Sequence, residues 1–279
     1  MILSQHVIKG ASTPVTICPL GDIQWAGDRN DLAFDSLQEH IARCLALPNP
    51  KFVGLGDYID FASPSNREAL AHAKLYDTAR KVIADATKNL TDELYDKVLK
   101  PTKGMWLGMV NGHHHMNIPK VGDSDEYLAD KLGAPFCHEL GLVQLRWDGG
   151  AEVNILFFHG DGGSVFPWGP LNKLFRISPN FDADILLMGH QTKKAVGEYD
   201  FISPVFPTDS EARLEHRTRH LVGTGGWTKG YVHGKQTYVS AGMYPPVALG
   251  QPIVHVRPTW RTSTATGAKV WSRGITVEV

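Results

Sequence analysis

Five apolar runs in the sequence end in glycine, histidine or aspartate where the chain turns. In order, these are Leu20-Gly21-Asp22, Leu55-Gly56-Asp57, Val110-Asn111-Gly112-His113-His114-His115, Phe158-His159-Gly160-Asp161 and Met188-Gly189-His190. In open α/β sheets, ligands bind beyond the carboxyl ends of the strands, and glycine lets the backbone approach them closely. A single Gly-Asp pair or a single histidine typically marks a surface turn or a hydrogen-bonded structural group. Five in succession predict carboxylates and imidazoles that converge on one pocket.

The elements that would position these residues are short strands alternating with helices. Apolar runs predict buried strands over residues 15–20, 52–55, 105–110 and 185–188, and paired strands over 142–147 and 153–158. Helical spacing of apolar residues predicts helices over 31–47, 66–88 and 123–132. Thr91 is predicted to cap a further helix running to residue 100. This alternation is typical of the α/β class.

The last third of the chain has a different pattern, rich in Gly, Pro, Thr and β-branched residues. It predicts strands over residues 220–222, 231–232, 253–256 and 275–279 and no helix. The sequence contains no internal repeat, low-complexity tract or linker. We therefore expect one α/β domain over residues 1–279, with a β-rich C-terminal part over 195–279.

Composition narrows the class of protein and its partners. Lys plus Arg number 28 against 29 Asp plus Glu, so the net charge is -1 and no overall basic field would hold a nucleic acid backbone. The three cysteines are scattered and odd in number, which argues against a disulfide framework. Residues 1–10 lack the apolar stretch of a signal peptide, and no apolar run approaches the length of a membrane span. We expect a soluble, cytoplasmic protein with no membrane partner.

The ordered strand-end blocks resemble the signature of the calcineurin-like metallophosphoesterases, which reads DxH, GDxxD, GNH(D/E), a later HG or HH, and GHxH. The corresponding blocks here are Asp22-Ile23-Gln24, Gly56-Asp57-Tyr58-Ile59-Asp60, Gly112-His113-His114-His115, His159-Gly160 and Gly189-His190-Gln191-Thr192. This resemblance spans about residues 16–192 and implies a four-layer αββα sandwich that hydrolyses phosphate esters with bound metal ions. The tail at residues 224–231, with Tyr244-Pro245-Pro246 and Gly250, looks like phage and prophage members of the family.

The resemblance also implies a pair of metal ions. The first ion would be held by Asp22 and Asp57. The second ion would be held by Asp57, His113, His159 and His190, so Asp57 would bridge the two ions. Carboxylates and imidazoles suit Mn, Zn, Fe or Ni better than Mg or Ca.

Two positions depart from the family signature. Gln24 and Thr192 replace signature histidines, and their neutral oxygens are poorer ligands than imidazole. The first site is therefore predicted to bind weakly with Gln24 as a ligand, unless His216 or His233 supplies the missing coordination.

The third block carries the predicted acid. The resemblance makes His114 the group that protonates the leaving oxygen or stabilises the transition state. An alternative register, with Asn111 as the metal ligand, would make His113 the acid. Asp60 is expected to hold neighbouring backbone, and Asp161 to orient a histidine.

The substrate is the least specified part of the prediction. Residues 61–104 are expected to form a helical cover, in which a solvated face is favoured over phosphate contacts for Arg67, His72 and Lys74. Lys193-Lys194 and the basic stretch Arg213, His216, Arg217, Arg219 and His220 present the same two alternatives. Phosphodiesters of nucleotides or nucleic acids are the favoured substrates. The alternatives are a phosphomonoesterase or protein phosphatase, and a non-catalytic binding scaffold of the same fold.

Overall fold

The computed structural model describes residues 1–27, 32–62, 69–70, 76–118, 122–206, 212–246, 248–262, 264, 267 and 269–279, and over these residues the chain is a mixed α/β protein. Its strands are β1 Ile2–Ile8, β2 Val15–Leu20, β3 Pro50–Gly54, β4 Trp106–Met109, β5 Asn117–Ile118, β6 Gly122–Asp123, β7 Leu140–Trp147, β8 Glu152–Phe158, β9 Ile185–Met188, β10 Ala195–Val205, β11 Arg213–Gly223, β12 Ile253–Val256, β13 Thr259–Thr262, β14 Lys269–Ser272 and β15 Ile275–Glu278. Its α-helices are α1 Phe34–Ala46, α2 Asp77–Leu94, α3 Ser124–Leu132, α4 Gly169–Ile177 and α5 Tyr238–Ala241.

Two main sheets organise the chain. One has five strands in the order β15-β12-β2-β3-β4, and the other has six in the order β1-β7-β8-β9-β11-β10. Strands β2, β3 and β4 are parallel, as are β8 and β9, so within each set the carboxyl ends meet at one edge of the sheet. Strand β12 pairs antiparallel with β2, so the tail completes the sheet that the first strands begin.

Alternation along the buried strands divides the core into three apolar clusters. In β2, Ile17 belongs to a cluster that holds residues of both sheets, whereas Leu20 packs with Leu37 of α1. In β8, Phe157 points into the shared cluster, whereas Leu156 belongs to a third cluster with Leu174 of α4. Near-continuous hydrophobic strands are expected where both faces of a sheet are covered.

Most predicted elements of the first two thirds are present, and β1 occurs where no strand was predicted. Thr91 does not cap a new helix: it lies inside α2, where its hydroxyl donates to the Thr87 carbonyl oxygen at 3.0 Å. The chain then continues through a π-helical turn at Tyr95–Leu99. The helix α4 was not predicted from the sequence, and the predicted part of the cover at 63–68 and 71–75 lies outside the described residues.

The tail differs more from its prediction. The predicted strand at 220–222 is the end of the eleven-residue β11, which pairs along its whole length with β10, a strand the sequence analysis missed. The predicted strand at 231–232 is absent from the described residues, where Val232 forms a single bridge with Lys235. Residues 238–241 form a helical turn where none was predicted. Within the described part of the chain, no helix is long and apolar enough to cross a membrane.

Candidate metal centre

The predicted ligand residues follow strands of both sheets. Asp22, Asp57 and His113 follow the carboxyl ends of β2, β3 and β4 in the five-stranded sheet. His159 and His190 follow the parallel strands β8 and β9 of the six-stranded sheet. Asp22 and His190 are far apart in sequence, but the carboxyl ends of the strands that precede them lie close together. The side chains of the predicted ligands therefore come into contact.

Several of these residues have strained backbones. Asp22, Gln24, Asp57, His190 and Thr192 have left-handed φ angles of 49°, 52°, 53°, 64° and 48°. Left-handed φ is uncommon for residues other than glycine and costs of order 1–3 kcal/mol each when it departs from the populated wells. Concentration of such residues at three strand-end turns is typical of a functional site, where the surrounding structure holds a demanding side-chain arrangement.

Three imidazoles form one ligand set. Nδ1 of His113 lies 3.0 Å from Nδ1 of His190, and His190 Nδ1 lies 3.2 Å from Nε2 of His159. One ring nitrogen from each residue lies within 4.8 Å of the others. Facing ring nitrogens this close suit a shared cation, because imidazole nitrogens are common ligands of divalent transition metals.

A second ligand set shares His159 with the first. It consists of Asp22, Asp57 and His159, all buried, whose ligand atoms also lie within 4.8 Å of one another. His159 Nε2 is 3.3 Å from Asp57 Oδ2, and His159 Nδ1 is 2.6 Å from the Leu55 carbonyl oxygen. A backbone carbonyl that accepts from Nδ1 leaves Nε2 to face the carboxylates, the arrangement that orients ligating histidines in metal sites.

Burial and the charges of neighbouring groups shift the pKa values of residues in both sets. Burial raises the pKa of Asp22 to about 7. Burial also opposes ionisation of Asp57, but the hydrogen bond from His159 and its charge outweigh that effect and hold the Asp57 pKa below its usual range. In return, despite burial, Asp57 raises the pKa of His159 to about 9. Burial and the neighbouring His159 and His113 lower the pKa of His190 to about 4.

The residues present fit a divalent metal ion. Oδ1 of Asp22 is buried without a hydrogen-bond partner, while its Oδ2 accepts from the backbone N–H of His190 at 3.0 Å. An orphaned carboxylate oxygen in a protein interior requires an explanation, and a bound cation is one. Mixed imidazole and carboxylate donors suit a divalent transition metal rather than an all-oxygen Mg or Ca site.

His114 lies beside the cluster in a different arrangement. Its backbone N–H donates to Asp57 Oδ1 at 2.8 Å, and its ring Nδ1 is 2.9 Å from Asp60 Oδ1. Its Nε2 lies 3.9 Å from Asp57 Oδ2. Asp60, which was expected to hold backbone, therefore contacts the predicted acid and orients its ring.

The alternative register of the third block does not match the geometry. Asn111 donates its side-chain amide to Asp123 Oδ2 at 3.1 Å, whereas His113 faces His190. Close packing of two glycines sets this register. A Cβ on Gly112 would lie 2.0 Å from both N and Oδ1 of Asp57, and one on Gly56 would lie 2.5 Å from the backbone of Gly112.

The tail contributes a wall to the centre that the sequence analysis did not foresee. Oε1 of Gln24 accepts from the Thr228 hydroxyl at 3.1 Å, and the Trp227 N–H donates to the Asp22 carbonyl oxygen at 3.2 Å. Gln251, which is buried, donates to the carbonyl oxygens of Gly21 and Gly225. The glycine-rich run at 223–226 was the available signal, because it allows the tail to approach Asp22 and Thr192 closely.

The predicted substitutes for the missing histidines lie elsewhere. Neither His216 nor His233 belongs to the two ligand sets found among the described residues. His216 lines a separate cavity of about 560 Å³ with Glu198 and Arg273. Asp161, which was expected to orient a histidine, pairs with Lys173.

Two cavities flank the histidines. One of about 700 Å³ is lined by His113, His115, His138, His159 and Lys173, among others. Another of about 430 Å³ is lined by His190, Thr192, Lys193 and Tyr244, and by the loop at residues 162–165. The two cavities have no lining residue in common, and each borders a different part of the cluster.

Two arginines of the basic stretch in β11 make structural contacts with neighbouring residues. Arg217 pairs with Asp182 and Asp184, each at 2.8 Å. The guanidinium of Arg219 donates to the Ser178 carbonyl oxygen and stacks over the Phe201 ring at 4.2 Å. These two arginines therefore hold β11 to its neighbours. The other predicted phosphate contacts, Arg67, His72 and Lys74, lie outside the described residues.

Comparisons with known proteins add little to this geometry. No protein-family model matches the sequence, and no curated protein is significantly similar to it. Among solved structures, the chain is similar to the crystal structure of a single mutant of Vps29 from Entamoeba histolytica, with 14% sequence identity and a TM-score of 0.26. The match covers 80% of this chain and 97% of that one. A TM-score this low carries no argument about fold or activity.

Proposed function

We propose that this protein is a metal-dependent phosphoesterase of the calcineurin-like metallophosphoesterase type. The observation that carries the proposal is the convergence of three imidazoles and two buried carboxylates, delivered by five strand ends in the family's order. Residues that ligate one cation seldom come together from five separate turns without a common function.

The fold belongs to the same proposal. A four-layer αββα sandwich over a single domain of residues 1–279 is supported by the three apolar clusters, which join α1 to one sheet, that sheet to the other, and the second sheet to α4. Pairing of β12 with β2 supports inclusion of the tail in that domain.

The residues take the following proposed roles. His113, His159 and His190 hold one divalent ion with Asp57, and Asp22 with Asp57 holds a second, weaker one. Ions of this kind would neutralise phosphoryl oxygens and activate water for attack. Gln24 is proposed as a weak ligand at most, because its side-chain oxygen already accepts from Thr228.

His114 is proposed to donate a proton to the leaving oxygen through Nε2. Asp60 Oδ1, 2.9 Å from Nδ1, would accept from the Nδ1–H group and stabilise the charged ring, which carries its second proton on Nε2. The ring is only partly buried, so it reaches the solvent side of the cluster where a leaving group would depart.

Phosphodiesters are the proposed substrate class. A diester has two substituents on phosphorus, and the two cavities of about 700 and about 430 Å³ that border the histidines offer room for both. The non-catalytic scaffold remains the second candidate, and it is favoured by the two missing signature histidines at Gln24 and Thr192.

One experiment separates these possibilities. Purified protein is assayed with Mn, Zn, Fe or Ni against a simple phosphodiester and the matching monoester, each with and without EDTA. We expect metal-dependent turnover that favours the diester. Preference for the monoester would identify a phosphomonoesterase, and no turnover with any metal would support the scaffold.

A further inference from the structure

Phe166 and Trp168 form an aromatic pair on the protein surface. Phe166 is 56% exposed and Trp168 is 55% exposed, and their rings stack with centroids 5.3 Å apart and an interplanar angle of 13°. Pro167 between them restricts the backbone. Large aromatic side chains usually bury their surface in a core or an interface, so a stacked pair left in solvent indicates a binding surface.

The loop that carries this pair borders the metal centre. It begins at Gly160, directly after His159, and its residues 162–165 line the cavity of about 430 Å³ with His190. At its far end the loop returns to the same place, because a Cβ on Gly169 would lie 3.1 Å from Oε1 of Gln191. The aromatic pair is therefore held next to the proposed reaction site.

The chemistry around the loop suits a ligand that is anionic at one end and flat at the other. Lys193 and Tyr244 line the cavity between the loop and the tail. Each nucleotide of a nucleic acid strand presents an anionic phosphodiester and a planar base. Proteins that bind single strands combine cationic groups for the backbone with aromatic rings on which bases stack.

We propose that the Phe166–Trp168 pair is a stacking platform for a base of a single-stranded nucleic acid whose phosphodiester lies at the histidine cluster. This inference rests on the proposed phosphodiesterase function. A single strand fits because the bases of a duplex are already stacked inside the helix and cannot reach the rings. It also fits the open surface, because a base stacked on exposed rings leaves the strand free to continue into solvent.

The test is a binding measurement on the full-length protein. A fluorescently labelled oligonucleotide with phosphorothioate linkages, which resist cleavage, is titrated with protein in Mn²⁺ and again in EDTA, and compared with a strand whose sugars lack bases. Phe166→Ala and Trp168→Ala are expected to weaken binding of the strand with bases by roughly 5- to 150-fold, the range for loss of one stacking contact. The strand without bases should bind the wild type weakly, and the variants equally weakly.

Phe175→Ala is the matched control. Phe175 is 50% exposed on the neighbouring helix α4, but its ring packs edge-on against Tyr199. This variant is expected to bind the oligonucleotide like the wild type.

Equal binding of strands with and without bases would overturn the platform, and so would unchanged affinity in both ring variants. Equal dependence on the rings for binding of a mononucleotide diester would also overturn it, because that result would indicate a nucleotide site instead. A change of oligomeric state in the ring variants with unchanged affinity would also overturn it, because the pair would then contact another copy of the chain. Base-dependent binding without hydrolysis of any ester would support the platform and contradict the proposed catalytic function. Hydrolysis without base-dependent binding would support the catalytic function and contradict the platform.

Discussion

Asp57 is the side chain that the two proposed metal ions would share. It is 2% exposed, faces His159 at 3.3 Å and accepts from the backbone of His114. Because its negative charge offsets a histidine whose pKa is raised to about 9, the same charge should hold a cation once that proton leaves.

Replacement of Asp57 by asparagine keeps the size of the side chain and removes the charge. Loss of a residue that only hydrogen-bonds to a metal ligand weakens metal binding by roughly 10- to 100-fold. We expect Asp57→Asn, which removes a ligand itself, to weaken metal binding by more than this and to lower the free energy of unfolding. Elemental analysis after dialysis measures the metal. Asp161→Asn is the control, because Asp161 is exposed at the same edge and pairs with Lys173. Full metal retention in Asp57→Asn would contradict the ligand assignment.

His114 is expected to serve the chemical step without holding a metal. His114→Ala should lower kcat by roughly 100-fold or more, in the range of a lost general acid, while metal content stays unchanged. The loss should be smaller for a nitrophenolate leaving group, which needs no proton. His233→Ala, outside the ligand sets, should retain full activity. An equal loss for good and poor leaving groups would rule out the acid role.

At the scale of elements, two strand-end turns set the spacing of the centre. The turn after β3 and the turn after β4 touch at Gly56 and Gly112, which lets Asp57 approach His113 and His114. A side chain at either glycine would have to displace backbone rather than a flexible side chain, so the approach cannot be recovered by a rotamer change.

We expect Gly112→Ala to separate these turns. Its methyl group would meet N and Oδ1 of Asp57 at 2.0 Å, so the variant should lose stability and bind metal more weakly. Urea denaturation and metal titration measure the two effects. Gly163→Ala is the matched control, because an added Cβ there meets nothing within 4 Å. Wild-type metal affinity in Gly112→Ala would show that this contact does not position Asp57.

Arg217 stabilises the contact between β11 and the residues that precede β9. Asp184 is 2% exposed and accepts from Arg217 at 2.8 Å, from the Asn154 N–H at 2.9 Å, and lies 3.1 Å from Arg273. Removal of a buried partner leaves charges uncompensated, so Asp184→Ala should lower the free energy of unfolding by about 3–5 kcal/mol.

Asp182 provides the comparison for this prediction. It also pairs with Arg217 at 2.8 Å, but its side chain is 66% exposed. Because solvent screens such a pair, Asp182→Ala should cost less than about 1 kcal/mol. Urea denaturation of both variants tests the difference, and equal losses would mean that burial does not control the strength of these contacts.

At the scale of the whole molecule, a metal ion bound at the centre would link the two sheets. The ligands come from the strand ends of both, so an ion bound there ties the sheets together and stabilises the folded chain by mass action. The molecule as a whole carries a net charge of -1, which makes this local centre the place where an anionic substrate would be neutralised.

Metal titration should reveal two unequal sites. The histidine-rich site should fill first, and the site of Asp22 and Asp57 should fill only at high concentration, because Gln24 is engaged by Thr228. Purified protein is expected to carry nearer one ion than two, and its melting temperature should keep rising beyond the first equivalent. Calorimetry and elemental analysis measure this. Two equally tight sites would refute the weak site.

The sequence by itself determined the order of the strand ends and the residues that follow them. The strands at 15–20 and 185–188 match exactly, because a short apolar run before a Gly-Asp or Gly-His turn is local information. The expected ligands Asp22, Asp57, His113, His159 and His190 come from those turns. Their roles, the family and the cytoplasmic location stay predictions.

Tertiary structure alone decided how these turns meet the rest of the chain. Asp60 holds His114 from 54 residues away, Thr228 holds Gln24 from 204, and Gln251 joins the tail to Gly21 from 230. It also committed Arg217 to Asp184 and set His113, instead of Asn111, against His190. Contacts between residues so far apart depend on strand order and sheet packing, and no local pattern of apolar and polar residues encodes them.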